Sequence, residues 1–409
     1  MLSKLIHKFS GLAVLQAITV LLPLLVVPHL MSTIEVDGFG RLSLALALSS
    51  ILIPFMDLGY QLAGTRDIAD QANSKPRLLG SFLFQRLLVS FVLILPYSLI
   101  VFLIPNFRSI ADLMALGFAY AFITALMPNW YFEGQKRFSI VQLVFLVWRL
   151  FYTLSVLIFI QSYEQEWAVL LINVLGGVVA LLICIYLIVR DKVGIEFKPW
   201  REEVRSIRSS FSIAVTPLTV TYMSFFPQVI ASFLLGPIAF GYFALVDRIL
   251  QLFRMLGFLF STVVYVEYCK LIAEKTFAIL RSYYLKITIL VTIASGIVIG
   301  LMQCFHEAIL SFLDDKWNSD ALIPFSIVLW AGIFVIQRSQ IQRFILGFHK
   351  ENLLAKWSIV FIVAMPLLMI IPNHYFGLRG LSYGFLGYEA LVSSILFLLS
   401  IPLFRSSKN

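Results

Sequence analysis

The chain has 409 residues, 60% of them hydrophobic and 13% charged, and its 31 Lys and Arg against 22 Asp and Glu leave a net charge of +9. Soluble domains carry about a quarter charged residues and about half apolar ones. At a mean hydropathy of +0.93 this chain cannot hide its apolar surface by folding on itself, so its solvent is lipid. Soluble enzymes, nucleic-acid binders and secreted scaffolds are excluded.

A helix needs about 20 apolar residues to cross about 30 Å of hydrocarbon, and twelve runs in the sequence meet that need. The runs are continuous rather than alternating, so they read as helices and not barrel strands. The first half is expected to span over 11–30, 42–60, 79–104, 113–127, 139–160 and 167–189. The second half is expected to span over 211–234, 240–266, 284–304, 321–337, 354–371 and 381–404. Lys4 and Lys8 give the first run a signal-peptide start, but it continues through Pro23 and Pro28 without a small-x-small cleavage site and is expected to stay as a helix. Cys184, Cys269 and Cys304 are solitary, and His7, His29, His306, His349 and His374 are scattered. No metal, disulfide or catalytic constellation is visible in that pattern, and the chain is not expected to be an enzyme.

Lys and Arg collect in cytoplasmic loops. With the amino terminus placed inside, the inner segments hold 23 of them and the outer loops only Arg41, Arg108, Lys316 and Arg379. Both termini are therefore expected inside. A weak repeat points the same way: Phe39-Gly40 opens helix two and Phe240-Gly241 opens helix eight, 201 residues later. Parallel repeats related by an axis along the membrane normal are a transporter architecture; coincidence is the other account of so short a repeat. The expected fold is all-α, twelve transmembrane helices in two six-helix bundles, 1–190 and 210–409, with a pseudo-twofold along the membrane normal and a cytoplasmic linker at 191–209. In that linker Trp200, Val204 and Ile207 share a helical face beside Arg201, Arg205 and Arg208. This is either an ordinary basic loop or a helix lying on an anionic leaflet.

An intramembrane charge is costly and needs a reason. Arg149 lies ten residues into the fifth run, about 15 Å deep at 1.5 Å per residue. In the eighth run Asp247, Gln251 and Arg254 share one face at i, i+4 and i+7, flanked by Arg248. Such a stripe must face protein or water. Mutual neutralisation of Asp247 and an arginine is one account. The other starts from the surplus of arginine over acid: guanidinium forks match phosphate oxygens in bidentate geometry, so the stripe suits an anionic substrate. Arg86 lies nearer the inner face, where it either snorkels or joins that set. Asp57 brackets the inner end of helix two.

Several short motifs add a resemblance. Pro28-His29-Leu30, Gly38-Phe39-Gly40, Asp57-Leu58-Gly59 and Gly64-Thr65-Arg66-Asp67-Ile68-Ala69 follow one another in order, and Asn129-Trp130-Tyr131-Phe132-Glu133-Gly134 follows helix four. Gly241-Tyr242 then precedes Asp247-Arg248-Ile249. In order and spacing this resembles the Wzx-type O-antigen flippases of the multidrug/oligosaccharidyl-lipid/polysaccharide exporter superfamily, with Glu133 where that family usually has glutamine. The resemblance is strongest over the first third of the chain.

The resemblance implies two six-helix bundles around a cavity that opens to each side in turn. It implies as substrate an undecaprenyl-pyrophosphate-linked oligosaccharide, flipped from the inner to the outer leaflet of the bacterial inner membrane by alternating access. On that reading Arg149, Arg248, Arg254, Arg86 and Gln251 bind substrate. Asp247 and Asp57 pair charges or exchange a coupling cation, either proton or sodium. Besides the glycolipid the expected partners are membrane lipids and the polysaccharide polymerase machinery, with no nucleic acid, metal or other cofactor. Two rival readings remain open: a multidrug antiporter of the same superfamily, and a membrane polysaccharide polymerase. Against the first, cationic drugs want buried carboxylates, and Asp247 is the one deep acid found in the sequence. Against the second, the longest outer segment, 305–320, has no evident catalytic set and reads as a short amphipathic helix.

Overall fold

The computed structural model describes residues 15, 18–19, 21–70, 75–197, 199–274, 276–348 and 350–404. They form helices and connecting turns, with no strand among the described residues. Nine helices among them are long and apolar enough to cross a membrane, and 21–33 and 218–234 are shorter apolar helices. The last of the nine, 53 residues from Asn352 to Phe404, is two spans back to back. Gly377 breaks it with φ 55° and ψ −138°, a left-handed φ that glycine adopts without a Cβ penalty. The second arm returns along the first so closely that a Cβ on Gly380 would lie 1.9 Å from the Pro372 carbonyl oxygen, and one on Gly384 2.0 Å from that of Leu368. Twelve spans result, the expected all-α layout.

The chain divides into two compact units, Met1–Phe226 and Pro227–Asn409. The division falls inside one long helix, Trp200–Leu234, so the segment expected as a linker is a short irregular stretch followed by the first turns of that helix. Trp200 and Arg201 are exposed and Ile207 is half-buried. The side chains of Val204, Arg205 and Arg208 lie outside the described residues, as do the side chain of Arg66 and all of Lys4, His7, Lys8 and His349.

The first unit contains α1 (Val27–Thr33), α2 (Glu35–Asp57), α3 (Tyr60–Asp70), α4 (Lys75–Leu103) and the short α5 (Pro105–Arg108). It continues with α6 (Ala111–Ala125), α7 (Asn129–Gly134), α8 (Phe138–Phe159), α9 (Glu166–Arg190) and most of α10 (Trp200–Leu234). Helix α2 stops at Asp57 because Leu58 and Gly59 turn left-handed, with φ 50° and 72°; the Asp57-Leu58-Gly59 motif is therefore a helix end. Gly64 and Gly134 let α3 and α7 meet, since a Cβ on Gly64 would lie 2.8 Å from Trp130 and one on Gly134 2.7 Å from Ile68. Those contacts bury Trp130, Tyr131 and Phe132 completely against Tyr60 and Phe82. At the other end of α2, Arg41 donates to Glu166 of α9 at 2.9 Å.

The second unit begins within the end of α10. It continues with α11 (Pro237–Ala273), α12 (Phe277–Cys304), α13 (His306–Leu313), α14 (Ser319–Val328), α15 (Ala331–Gly347) and α16 (Glu351–Ser400), closed by a 3-10 turn at Ile401–Phe404. Pro237 starts α11 in its first turn, where the missing N–H costs nothing. Several boundaries move from expectation, and two of the shifts re-place charged residues. The tenth span, expected to end at Gln337, continues to Gly347 because Ile341, Phe344 and Ile345 keep its buried face apolar. Arg338, expected in an inner loop, is thereby buried at 7% exposure. The ninth span starts at Phe277 rather than Tyr284, which brings Arg281 into the helix that holds Lys286.

Candidate functional site

Each unit contains buried charge, and the two arrangements differ. In the first unit Arg86 on α4 has a fully buried side chain and is paired through Nη2 with the carboxylate of Asp57, which is 19% exposed. Its Nε donates to the Ala125 carbonyl at 2.7 Å. The guanidinium sits over Phe82 at 4.1 Å and Tyr60 at 5.2 Å, close enough for cation–π attraction. Arg86 thus neither snorkels nor reaches outward. It ties the ends of α2 and α6 to α4 through Nε and Nη2, and its Nη1 is buried without a hydrogen-bond partner among the described residues. Around this pair Gln61 donates to Glu133 at 2.9 Å, and Tyr131 donates to Asp191 at 3.0 Å. Glu133 therefore has a defined partner in place of the family's glutamine.

Arg149 on α8 is the contrast. It is half-buried and lies over the ring of Trp148 at 5.6 Å, and among the described residues it has no ion pair. Trp148 is fixed from behind: its Nε1 donates to the Asn173 carbonyl at 2.9 Å and to the Asn173 side chain at 3.1 Å. Gly176 and Gly177 leave room for that ring, since a Cβ on either would lie 2.8 Å from it. A fixed aromatic ring thus lies beside a guanidinium that has no carboxylate partner among the described residues.

In the second unit the residues expected on one face of α11 do come together. Asp247 is fully buried and accepts from Arg254 Nη2 at 2.7 Å and from Gln251 Nε2 at 3.3 Å. It also accepts from Gln228 Nε2, near the end of α10, a partner that sequence reasoning missed. Arg248 donates to the Gln251 oxygen at 3.4 Å. Among the described residues, the Nε and Nη1 of Arg254 are buried without a hydrogen-bond partner.

Asp247 is not the one deep acid. Glu389 on the second arm of α16 is fully buried, accepts from Arg338 of α15 at 2.9 Å, and acts electrostatically on Arg254. Its Oε1 is buried without a hydrogen-bond partner among the described residues. Three arginines (Arg248, Arg254, Arg338) therefore face two acids. A polar ladder surrounds them: Ser393 donates to Gln337 at 3.1 Å, Gln340 donates to Tyr268 at 2.6 Å, and Tyr284 bonds to Ser400 at 2.8 Å. Such ladders hold helices in lipid, where an unpaired polar group has no water to turn to. Glu389 was findable as a lone acid inside the twelfth run. Arg338 was hidden by the early end given to the tenth.

The comparisons with known proteins agree with this layout. The family described as "Polysaccharide biosynthesis protein" is matched over residues 5–266, more than half of the chain. A protein of Escherichia coli K12 is 25% identical over 252 residues, 57% of this chain and 57% of its own length. One of Shigella dysenteriae is 20% identical over 385 residues, 93% of this chain and 95% of its own. Both bear the name "Putative O-antigen transporter". Among solved structures, an inward-facing multidrug resistance MATE family transporter of the MOP superfamily matches with a TM-score of 0.75 at 17% identity, over 94% of this chain and 95% of that one. A MOP superfamily transporter from Pyrococcus furiosus matches with a TM-score of 0.60 at 16% identity, over 97% and 96%. Those likenesses show the fold. The chain belongs to the polysaccharide biosynthesis protein family.

Proposed function

We propose that this member of the polysaccharide biosynthesis protein family is a flippase for an undecaprenyl-pyrophosphate-linked oligosaccharide, an O-antigen or related repeat unit. It moves the glycolipid from the inner to the outer leaflet of the bacterial inner membrane by alternating access, with both termini cytoplasmic. The O-antigen transporter names of the relatives support the substrate class. The observation that carries the reading is Arg149: a half-buried guanidinium ten residues into an apolar span, with no acid partner among the described residues. Such a charge is costly in lipid and is suited to bind the pyrophosphate that the proposed cargo brings. Arg248 and Arg254 are the matching ligands in the second unit, with Gln251 and Asp247 orienting them. Asp247 or Glu389 is where a coupling cation, proton or sodium, exchanges. The polymerase that joins the repeat units is the partner downstream.

The drug-antiporter reading gains one specific observation, the second deep carboxylate at Glu389. Its pairing with Arg338 and the excess of arginine weigh against that reading.

The test is the leaflet location of lipid-linked oligosaccharide in cells lacking the chain. Single repeat units trapped on the cytoplasmic leaflet are expected. Units that reach the outer leaflet but stay unpolymerised indicate a polymerase, and no change in lipid-linked sugar reopens the antiporter.

A further inference from the structure

Arg281 and Lys286 lie in the first three turns of α12, both exposed, and among the described residues neither forms a salt bridge. Lys286 stands nine residues from the helix start, about 13 Å along it at 1.5 Å per residue. A lysine so placed on a membrane helix is costly unless it snorkels or meets an anion. Glu267, which reaches Tyr283 electrostatically, is already held by Lys270 at 3.9 Å.

Two grooves flank this stretch. One, of about 410 Å³, is bounded by Arg281, Leu285, Phe397, Ile401 and Phe404. The other, of about 380 Å³, is bounded by Ser282, Tyr283 and Lys286. The small side chain of Ala278 borders both. Each is within the range of ligand pockets, about 300–1,000 Å³. The floor of the first has no free hydroxyl, because Tyr284 is bonded to Ser400 at 2.8 Å. A third groove, of about 340 Å³ in the first unit between Tyr97 and Phe118, has no charged residue in its lining. Any lipid tail can fill that one, whereas the pair on α12 has a cation at each groove.

We propose that the start of α12 is a binding site for an anionic phospholipid. The phosphate lies against Arg281 and Lys286. Lys286 reaches back toward the helix start, and the acyl chains run inward from the phosphate, one past Leu285 and Phe397 and the other beside Tyr283. Charge selects an anionic over a zwitterionic headgroup. The apolar groove selects a lipid over a free anion.

The inference goes beyond flipping and is measured without transport, so either reading can fail alone. The full-length chain, purified in detergent, is exposed to mixed micelles of phosphatidylglycerol or of phosphatidylcholine, and retained lipid is counted by native mass spectrometry. Retention of phosphatidylglycerol over phosphatidylcholine is expected. It should fall about fivefold for each cation removed, so roughly 25-fold in the double variant Arg281→Ala with Lys286→Ala. Arg281→Lys with Lys286→Arg should keep it. Ala278→Trp, which leaves both charges but fills the grooves, should lose it. Equal retention of the two lipids by the unaltered chain, or unchanged retention in the double alanine variant, overturns the proposal. A loss in the alanine variant with full retention in Ala278→Trp overturns the grooves and leaves surface charge alone.

Discussion

The two units engage a buried arginine to different degrees. In the first, Arg86 is enclosed by a carboxylate, a backbone carbonyl and two aromatic rings, and its environment comes from helices that it holds together. In the second, Arg254 shares Asp247 with two glutamines, feels Glu389 as well, and leaves two nitrogens without a hydrogen-bond partner among the described residues. The first arrangement engages two of the three guanidinium nitrogens, Nε and Nη2, and leaves Nη1 without a partner among the described residues. The second engages one of three, Nη2, and Arg149 has no ion pair among the described residues. Depth alone therefore does not mark a functional arginine. What separates these arginines is how many nitrogens of the fork protein groups already use.

Variants can break or sharpen this contrast. The largest loss of stability is expected from removing one member of a closed pair. Arg86→Ala leaves Asp57 unmatched and should cost about 3–5 kcal/mol, seen as loss of folded protein in thermal unfolding of the purified chain. Arg338→Ala strands Glu389 in the same way and should cost a similar amount. Joint replacement, Arg338→Met with Glu389→Leu, should recover most of that, because two apolar groups leave no charge behind; failure to recover would show that the surrounding ladder depends on the pair. Gly384→Ala is the next in size. Its methyl would fall 2.0 Å from the Leu368 carbonyl oxygen, so the arms of the hairpin must separate, at about 1–3 kcal/mol by the same melting measurement. Arg149→Ala removes a half-exposed group with no ion pair and should change stability by no more than about 0.5 kcal/mol. The smallest effect is expected from Glu133→Gln, whose amide oxygen can still accept from Gln61. Its melting temperature and transport should match those of the unaltered chain.

Much of this was legible in the sequence, and the reasons for the rest are specific. Apolar runs, charge bias and chain order were enough for twelve spans. The i, i+4, i+7 spacing was enough for Asp247, Gln251 and Arg254, because helical periodicity is local. Asp57–Arg86 and Arg338–Glu389 are separated by 29 and 51 residues, and periodicity carries no information on which helices meet. Arg338 was lost for another reason: its helix continues on a face rich in Gln and Arg, where mean hydropathy falls although Ile341 and Phe344 stay buried. The family motifs were visible as strings, but their work was not. Only packing shows that Gly64 makes room for Trp130 and that Asp57-Leu58-Gly59 ends a helix and holds an arginine.

The measurement that bears most directly on Arg149 as an anion ligand uses proteoliposomes loaded on one leaflet with polyprenyl-pyrophosphate-linked oligosaccharide. Appearance of the sugar on the other leaflet is read by its accessibility to an added glycosidase. The unaltered chain should move it, and Arg149→Ala should lose at least about tenfold in rate, the equivalent of 1.4 kcal/mol, while melting at the same temperature. An unchanged rate in the folded variant would contradict the assignment.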